Sequence, residues 1–391
     1  MPPGPATITA NSSNRFALDY AAAASRFASL GYPIIDVHSH IHGPGAARMY
    51  AEVARLFGVG LTYSMTPLRE VDAVAEALEG RIRFIAMPDF MAPDRREAHG
   101  AGFLRTIEGF HARGARIVKF WAAPRGIDLG AQAGDPDLLR LDAPARIEAM
   151  HLASSLGMTF MTHVADPDTW FATRYADRAR YGSKRSHYDP LERLIERFPR
   201  PWIAAHLGGW PEDLEFLDGL LGRHRSLHLD CSACKWMVRE LGRHGRDEVV
   251  DFLRRWQGRI LFGSDIVTSD EHLRAGENKN EMAAKSSSSD EAWDLYASRY
   301  WAYRTMLETD HDGESPIADP DLAMVDPVRF TPMDGPRLRG LSLPPDLLRS
   351  LYHDAAVSLI GEDPATLALT ARPAATPPPV PPPVPPPVPP T

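Results

Sequence analysis

The sequence predicts an α/β protein built as a (β/α)8 barrel. Two observations lead there. Between residues 33 and 362, short runs rich in β-branched and aromatic residues alternate with stretches of helical periodicity, the pattern of βαβ units and a parallel sheet. Eight such runs occur, the number that closes a parallel barrel. An open doubly wound sheet would satisfy the first observation as well. However, the turn after the first run, "HGPGAA", is not the G-x-G-x-x-G phosphate turn of that fold.

The strand candidates in order are "PIIDVHSH" (33–40), "GLTYSM" (60–65), "RIRFIAMP" (81–88) and "ARIVKFW" (115–121). They continue with "MTFMTHV" (158–164), "WIAAHLG" (202–208), "SLHLDCS" (226–232) and "RILFGSDI" (259–266). Between them, Val71, Val74, Ala75 and Leu78 share one helical face, and Gly80 stops that helix. Leu191, Leu194, Ile195 and Phe198 repeat the spacing, as do Leu214, Leu217 and Leu221. Three insertions break the rhythm, at 165–188, 267–290 and 310–343. The first two follow strand C-terminal ends, so they belong to the catalytic face of a barrel.

Around this unit (31–362), residues 1–30 read as an N-terminal extension with a short helix near "YAAAASRFASL". Residues 363–391 read as a disordered Pro-rich tail of P-P-P-V repeats. Proline lacks the N–H and fixes φ, so an extended polyproline II spacer is expected, of the kind an SH3-like module binds.

Composition narrows the class. With 24% charged and 44% hydrophobic residues the chain is ordinary globular protein, and a net charge of -8 gives no reason to expect nucleic acid. No apolar run approaches the roughly 20 residues that span a bilayer. The start "MPPGPATITANSSNRF" lacks a basic segment followed by an apolar one, so a cytoplasmic location is expected. Cys231 and Cys234 form a C-x-x-C without a second pair for zinc. They also lie late in the chain, where a redox motif is not expected, so they read as reduced, unlinked thiols.

Chemistry gathers at the predicted strand ends. His38 and His40 close the first run, Lys119 lies near the end of the fourth, His163 ends the fifth, His206 the sixth and Asp265 the eighth. In a barrel these positions converge on one mouth although they run from 38 to 265 in sequence. One histidine at a strand end is ordinarily a satisfied structural residue; four with an aspartate point to a metal. Nitrogen and carboxylate donors suit one divalent ion, Zn²⁺ first, with Mn²⁺, Fe²⁺ or Co²⁺ as substitutes. His38, His40, His163 and Asp265 as ligands leave a position for water, whose pKa a metal lowers from about 15.7 to near 7. Asp265 then serves as ligand and base, and His206 as a free imidazole that polarises substrate or shuttles a proton. His42 shares the alternation, but Gly43 and Pro44 follow, so it reads as rim. Asp36 shares the phase from below and reads as a partner of the ligands or as packing.

Taken as an ordered set, "DVHSHIHG", "THVADP", "AAHLGGWPEDL", "ILFGSDI" and the closing helix "LPPDLLRSLYHDAAVSLIG" (343–361) resemble the amidohydrolase superfamily, most closely its amidohydrolase-related branch. That branch includes aminocarboxymuconate-semialdehyde decarboxylase and γ-resorcylate decarboxylase. Asp354 and Ala355 stand where the branch usually has Asn-Ala. The resemblance implies a distorted (β/α)8 TIM barrel with one divalent metal, His38, His40, His163 and Asp265 as ligands and His206 as the catalytic histidine. It also implies a small-molecule substrate and allows a homodimer. Lys119 has two readings: a carboxylated bridge between two metals, as in binuclear members, or a partner for a substrate carboxylate or buried acid. Trp121, Trp170 and Arg174 belong to loops over the mouth and suit an aromatic or carboxylated substrate, although loop aromatics also serve as anchors. Three functions follow: a metal-dependent hydrolase of a small carboxylated or cyclic substrate, a non-oxidative decarboxylase on the same scaffold, and a non-catalytic scaffold recruiting partners through the tail.

Overall fold

Hydrogen bonds run the whole way round a ring of parallel strands. The computed structural model describes residues 9–276 and 279–362, so the Pro-rich tail lies outside the described residues. The strands are β1 Ile34–His40, β2 Val59–Ser64, β3 Ile82–Ala86, β4 Ile117–Trp121, β5 Thr159–His163, β6 Trp202–Ala204, β7 Leu227–Asp230, β8 Ile260–Leu261 and β9 Ile266–Val267. Their order is β8-β7-β6-β5-β4-β3-β2-β1-β9. β8 and β9 are two halves of one interrupted eighth strand: β8 pairs with β7, and β9 pairs with β1. Across the break, Val37 N–H donates to Phe262 C=O at 2.9 Å and Asp265 N–H donates to His38 C=O at 2.7 Å. The eight predicted runs are therefore the eight staves, the last one broken where Asp265 projects.

β1 carries a β-bulge. Asp36 pairs with Thr62 and Ser39 with Ser64, so three steps on β1 match two on β2. The extra residue reverses the side-chain phase. Below it, Ile35 and Val37 face the barrel interior and Asp36 faces the helix layer, where it meets Tyr300. Above it, His38 and His40 point to the mouth. The sequence reading placed Asp36 in phase with the histidines; the bulge separates them.

Inside the barrel, Ile35, Leu61, Ile85, Ile117, Met161, Ile203 and Leu261 pack with Ala355, Ala356 and Ile360 of the closing segment. That segment runs through helix Pro345–Arg349 and the π-helical turns Ser350–Asp354 and Val357–Gly361. His353 bonds to Pro33 C=O, and Arg116 donates to the carbonyls of Ile360 and Gly361. Pro33 and Arg116 precede β1 and β4, so the segment plugs the end opposite the mouth. A larger apolar layer lies between strands and helices. It contains Val71, Val74 and Leu78, then Leu191, Leu194, Ile195 and Phe198, all buried as their spacing predicts. Each such side chain contributes about 1.5–3 kcal/mol on burial.

All three insertions reach the mouth end. The third, not placed from sequence, forms an antiparallel pair (Asp312–Glu314 with Arg337–Arg339) and the helix Pro320–Val325. Its Asp319 and Asp321 meet Arg239 of helix Cys234–Leu241, and Asp321 accepts the Trp170 indole N–H at 2.9 Å. The short N-terminal helix Tyr20–Ala24 packs on helix Ser289–Glu308 through Tyr20 and Trp301. Cys231 and Cys234 are buried and unlinked. No helix among the described residues is long and apolar enough to cross a membrane.

Candidate metal centre and active site

Strand phase delivers the polar residues. On β4, Ile117 faces the barrel interior, and Lys119 and Trp121 follow in the same phase; on β5, Met161 is followed by His163. Four non-glycine residues just past barrel strand ends adopt left-handed backbone: His206 (φ 59°) and Leu207 (φ 47°) after β6, Ala233 (φ 68°) after β7 and Asp265 (φ 58°) after β8. Each costs of order 1–2 kcal/mol. Such strain clusters where a fold over-determines a functional geometry. His206 was expected at a strand end; β6 stops at Ala204, and the left-handed turn aims the imidazole instead.

His38, His40 and Asp265 converge. Asp265 Oδ1 lies 3.6 Å from His38 Nε2 and 3.3 Å from His40 Nε2. His38 is 1% exposed, while His40 and Asp265 keep about 30% exposure, so the trio opens to the mouth on one side. Burial pushes the Asp265 carboxyl up, but the His40 hydrogen bond and the charges of His38 and His206 outweigh it and hold the group well below the usual carboxylate range. Donor atoms of a second trio, His38, His206 and Asp230, also lie within 4.8 Å of one another, and all three residues are buried. There, however, Asp230 is already saturated. Its carboxylate accepts from His38 Nδ1 at 2.9 Å, from the amides of His206 and Ser232 at 3.0 Å each, and from the Ser232 hydroxyl. The first trio is the one with free lone pairs. Asp230 fixes the His38 proton on Nδ1 and leaves Nε2 bare toward Asp265, the arrangement that metal-binding histidines use.

A second chain of contacts runs beside it. His163 Nε2 meets Asp166 Oδ1 at 2.9 Å, His163 Nδ1 meets His206 Nε2 at 3.1 Å, and His206 Nδ1 meets Ser232 Oγ at 2.8 Å. Tyr175 O–H donates to the other Asp166 oxygen at 2.7 Å. Asp166 and Asp230 are held ionised: burial raises both carboxyls, and His163 on the first and His38 on the second outweigh it. Both therefore only accept. The links Asp166–His163–His206–Ser232–Asp230 form one continuous chain across the back of the site. The donor set that fits a divalent metal is the trio His38, His40 and Asp265, two imidazoles and a carboxylate open to the mouth; His163 stands outside that group. Burial pushes the His206 pKa well below its ordinary value, so the imidazole is neutral.

Lys119 lies in the same interior, 4% exposed, and its Nζ has no hydrogen-bond partner among the described residues. Burial lowers its pKa to about 8, against the pull of Asp230 and Asp265. Trp121 stands edge-on to His163 at 6.1 Å between ring centroids. Trp170 and Arg174 sit farther out. Trp170 is tied to Asp321, and the exposed Arg174 guanidinium stacks 4.2 Å over its ring. His42 is half-buried at the rim, its ring stacked on His40 at 6.3 Å.

Sequence reasoning missed Asp230, Asp166 and Ser232. Asp230 had a legible signal: it ends the seventh strand as the other site residues end theirs, but the adjacent cysteines drew the weighing. Asp36 holds the ensemble from behind, accepting from the amides of His38 (3.1 Å) and Ser264 (3.0 Å) and from Tyr300 O–H (2.7 Å). Burial outweighs those bonds and raises its pKa to about 6. Gly263 is required: a Cβ there would stand 2.8 Å from His38 Cβ and 3.1 Å from Ser232 Cβ.

No protein-family model and no curated protein matches the chain. Several solved structures are similar to it at low sequence identity. A probable 2-pyrone-4,6-dicarboxylic acid hydrolase from Acinetobacter baumannii is 9% identical, with 84% of this chain and 99% of that chain covered and a TM-score of 0.46. A dihydroorotase from Saccharomyces cerevisiae is 11% identical over 86% of each chain, with a TM-score of 0.46. A 2,6-dihydroxybenzoate decarboxylase from Rhizobium is 13% identical over 68% of this chain and 98% of that one, with a TM-score of 0.38. At these values the site is read from its own geometry.

Proposed function

We propose that this chain is a metal-dependent hydrolase of a small carboxylated or cyclic organic substrate, with one divalent ion at the mouth. The observation that carries the reading is the closed trio of His38, His40 and Asp265 with Asp230 fixing the His38 tautomer. His163 would join the set through Nδ1, which lies 3.1 Å from His206 Nε2, while Asp166 holds Nε2. A divalent metal bound there supplies Lewis acidity and hydroxide at neutral pH, and zinc is the first to test. His206, neutral and anchored through Nδ1 to Ser232, takes and returns a proton at Nε2. Asp265, ionised and open to the mouth, is the second proton carrier. Lys119 offers its unpartnered ammonium to a substrate carboxylate, and Trp121 walls the same space. Metal analysis of wild type beside His163→Ala and Lys119→Ala tests the centre. One metal per chain, lost in the first and kept in the second, supports the reading; two metals, falling in the Lys119 variant, overturn the mononuclear assignment. Ester and lactone panels beside CO₂ release from aromatic and enolic acids test the reaction. CO₂ release without hydrolysis makes the chain a decarboxylase.

A further inference from the structure

Away from the metal centre, two buried polar side chains lack partners among the described residues. Arg146 is 1% exposed and its Nε and Nη1 meet no acceptor there; His99 is 2% exposed and its Nδ1 meets no partner there. Arg146 sits in the first turn of helix Pro144–Ser155, on the stripe Arg146, Ala149, Met150 and Ala153 that packs against the barrel. An apolar side chain belongs at such a position. The other buried guanidiniums among the described residues are neutralised: Arg239 meets Glu240 and Asp319, and Arg304 meets Glu308. Arg146 takes part in no ion pair among the described residues, and burial alone pulls its pKa down to about 9. A buried cation without a counter-charge is strongly unfavourable, and a chain that keeps one has an anion to meet it.

The location says where that anion comes from. Helices of a barrel begin at the mouth end, so the first turn after the β4 connection lies beside the site. His99 ends helix Arg95–His99 in the connection after β3; that helix packs on helix Ala101–His111, which packs in turn on the Arg146 helix. Its ring stands edge-on to Phe90 at 5.1 Å, Phe90 edge-on to Trp121 at 6.2 Å, and Trp121 edge-on to His163. An unbroken line of aromatic rings thus leads from His163 to His99.

We propose that Arg146 and His99 form a buried oxyanion-binding subsite at the mouth end of the barrel. Arg146 supplies charge and a planar fork, and His99 a single N–H, which together fit one carboxylate or phosphate group. Two sources share that chemistry, a carboxylate on a small organic acid and free inorganic phosphate. The subsite needs no metal, so it stands or falls apart from the proposed function.

The test is thermal melting and calorimetric titration of the full chain in chloride–HEPES buffer, with inorganic phosphate in one arm and succinate in the other. Wild type is expected to gain about 3 °C or more in Tm once the anion exceeds its Kd a hundredfold. The arm that responds at lower concentration identifies the source. Arg146→Met is expected to melt at or above wild type without anion and to lose the shift. His99→Phe is expected to keep the anion-free Tm and weaken binding about tenfold. A wild type unmoved by either anion across the millimolar range overturns the proposal. So does an Arg146→Met protein that shifts as much as wild type, or one that melts well below it without anion or fails to fold.

Discussion

Replacing Asp230 by Asn tests the logic of the centre, because the two side chains have the same shape and differ in what they can accept. Oδ1 of Asp230 takes two backbone amides at 3.0 Å and the Ser232 hydroxyl, so the amide oxygen of Asn occupies that place. The NH₂ group then faces His38 Nδ1, 2.9 Å away in the native pair. A donor there forces the His38 proton onto Nε2, the atom turned toward Asp265 at 3.6 Å. A protonated Nε2 cannot ligate. Loss of such a supporting partner costs about 10–100-fold in metal affinity, or about 1.4–2.7 kcal/mol. The charge-assisted bond is worth about 1.5–3 kcal/mol and the neutral replacement about 1, so metal-free stability falls by about 1–2 kcal/mol. Calorimetric titration with Zn²⁺ and urea denaturation of the metal-free protein measure the two quantities separately. Unchanged Zn²⁺ affinity beside reduced stability would refute the reasoning and make Asp230 a purely structural acid.

Other perturbations follow from named contacts. Gly263→Ala drives a methyl toward His38 and Ser232, and should lower the urea midpoint by about 1–3 kcal/mol equivalent while weakening metal binding. Lys119→Met should keep one metal per chain by elemental analysis and raise KM for a carboxylated substrate about tenfold, leaving carboxylate-free substrates little changed. Glu192 gives a pH test. Burial raises its carboxyl, but hydrogen bonds from Arg223 and His224 at 2.9 Å each outweigh it and bring the pKa to about 2. A depressed carboxylate stabilises the fold above its unfolded pKa of about 4.3, and that contribution disappears as pH falls through the folded value. Glu192→Gln should therefore cost about 1 kcal/mol at pH 7 in this partly solvated cluster, and urea midpoints should show the gap closing between pH 4.3 and about 2.

Much of this architecture is legible in the chain because it rests on local periodicity. A run such as "ARIVKFW" needs only its alternation to place Ile117, Lys119 and Trp121 on one face, and Leu191, Leu194 and Ile195 need only helical spacing. What escaped depends on backbone events that leave no local mark. The β1 bulge turns Asp36 away from His38 although both obey the same alternation in sequence. The left-handed turns at His206, Ala233 and Asp265 are adopted by residues that give no conformational hint, unlike glycine. The break between β8 and β9 is hidden inside the single apolar run "RILFGSDI". Pairings across the ring, Asp230 with His38 and Asp166 with His163, arise from tertiary placement. Arg146 reads in sequence as an unremarkable arginine near a helix start; only its burial without a partner sets it apart.

The most direct measurement is anomalous diffraction from crystals of this protein soaked with Mn²⁺ or Zn²⁺. A single peak per chain, bounded by His38 Nε2, His40 Nε2 and Asp265 Oδ1 with Asp230 still bonded to His38 Nδ1, is the expected result. A peak inside the buried trio of His38, His206 and Asp230, or none at the mouth, would contradict the central claim.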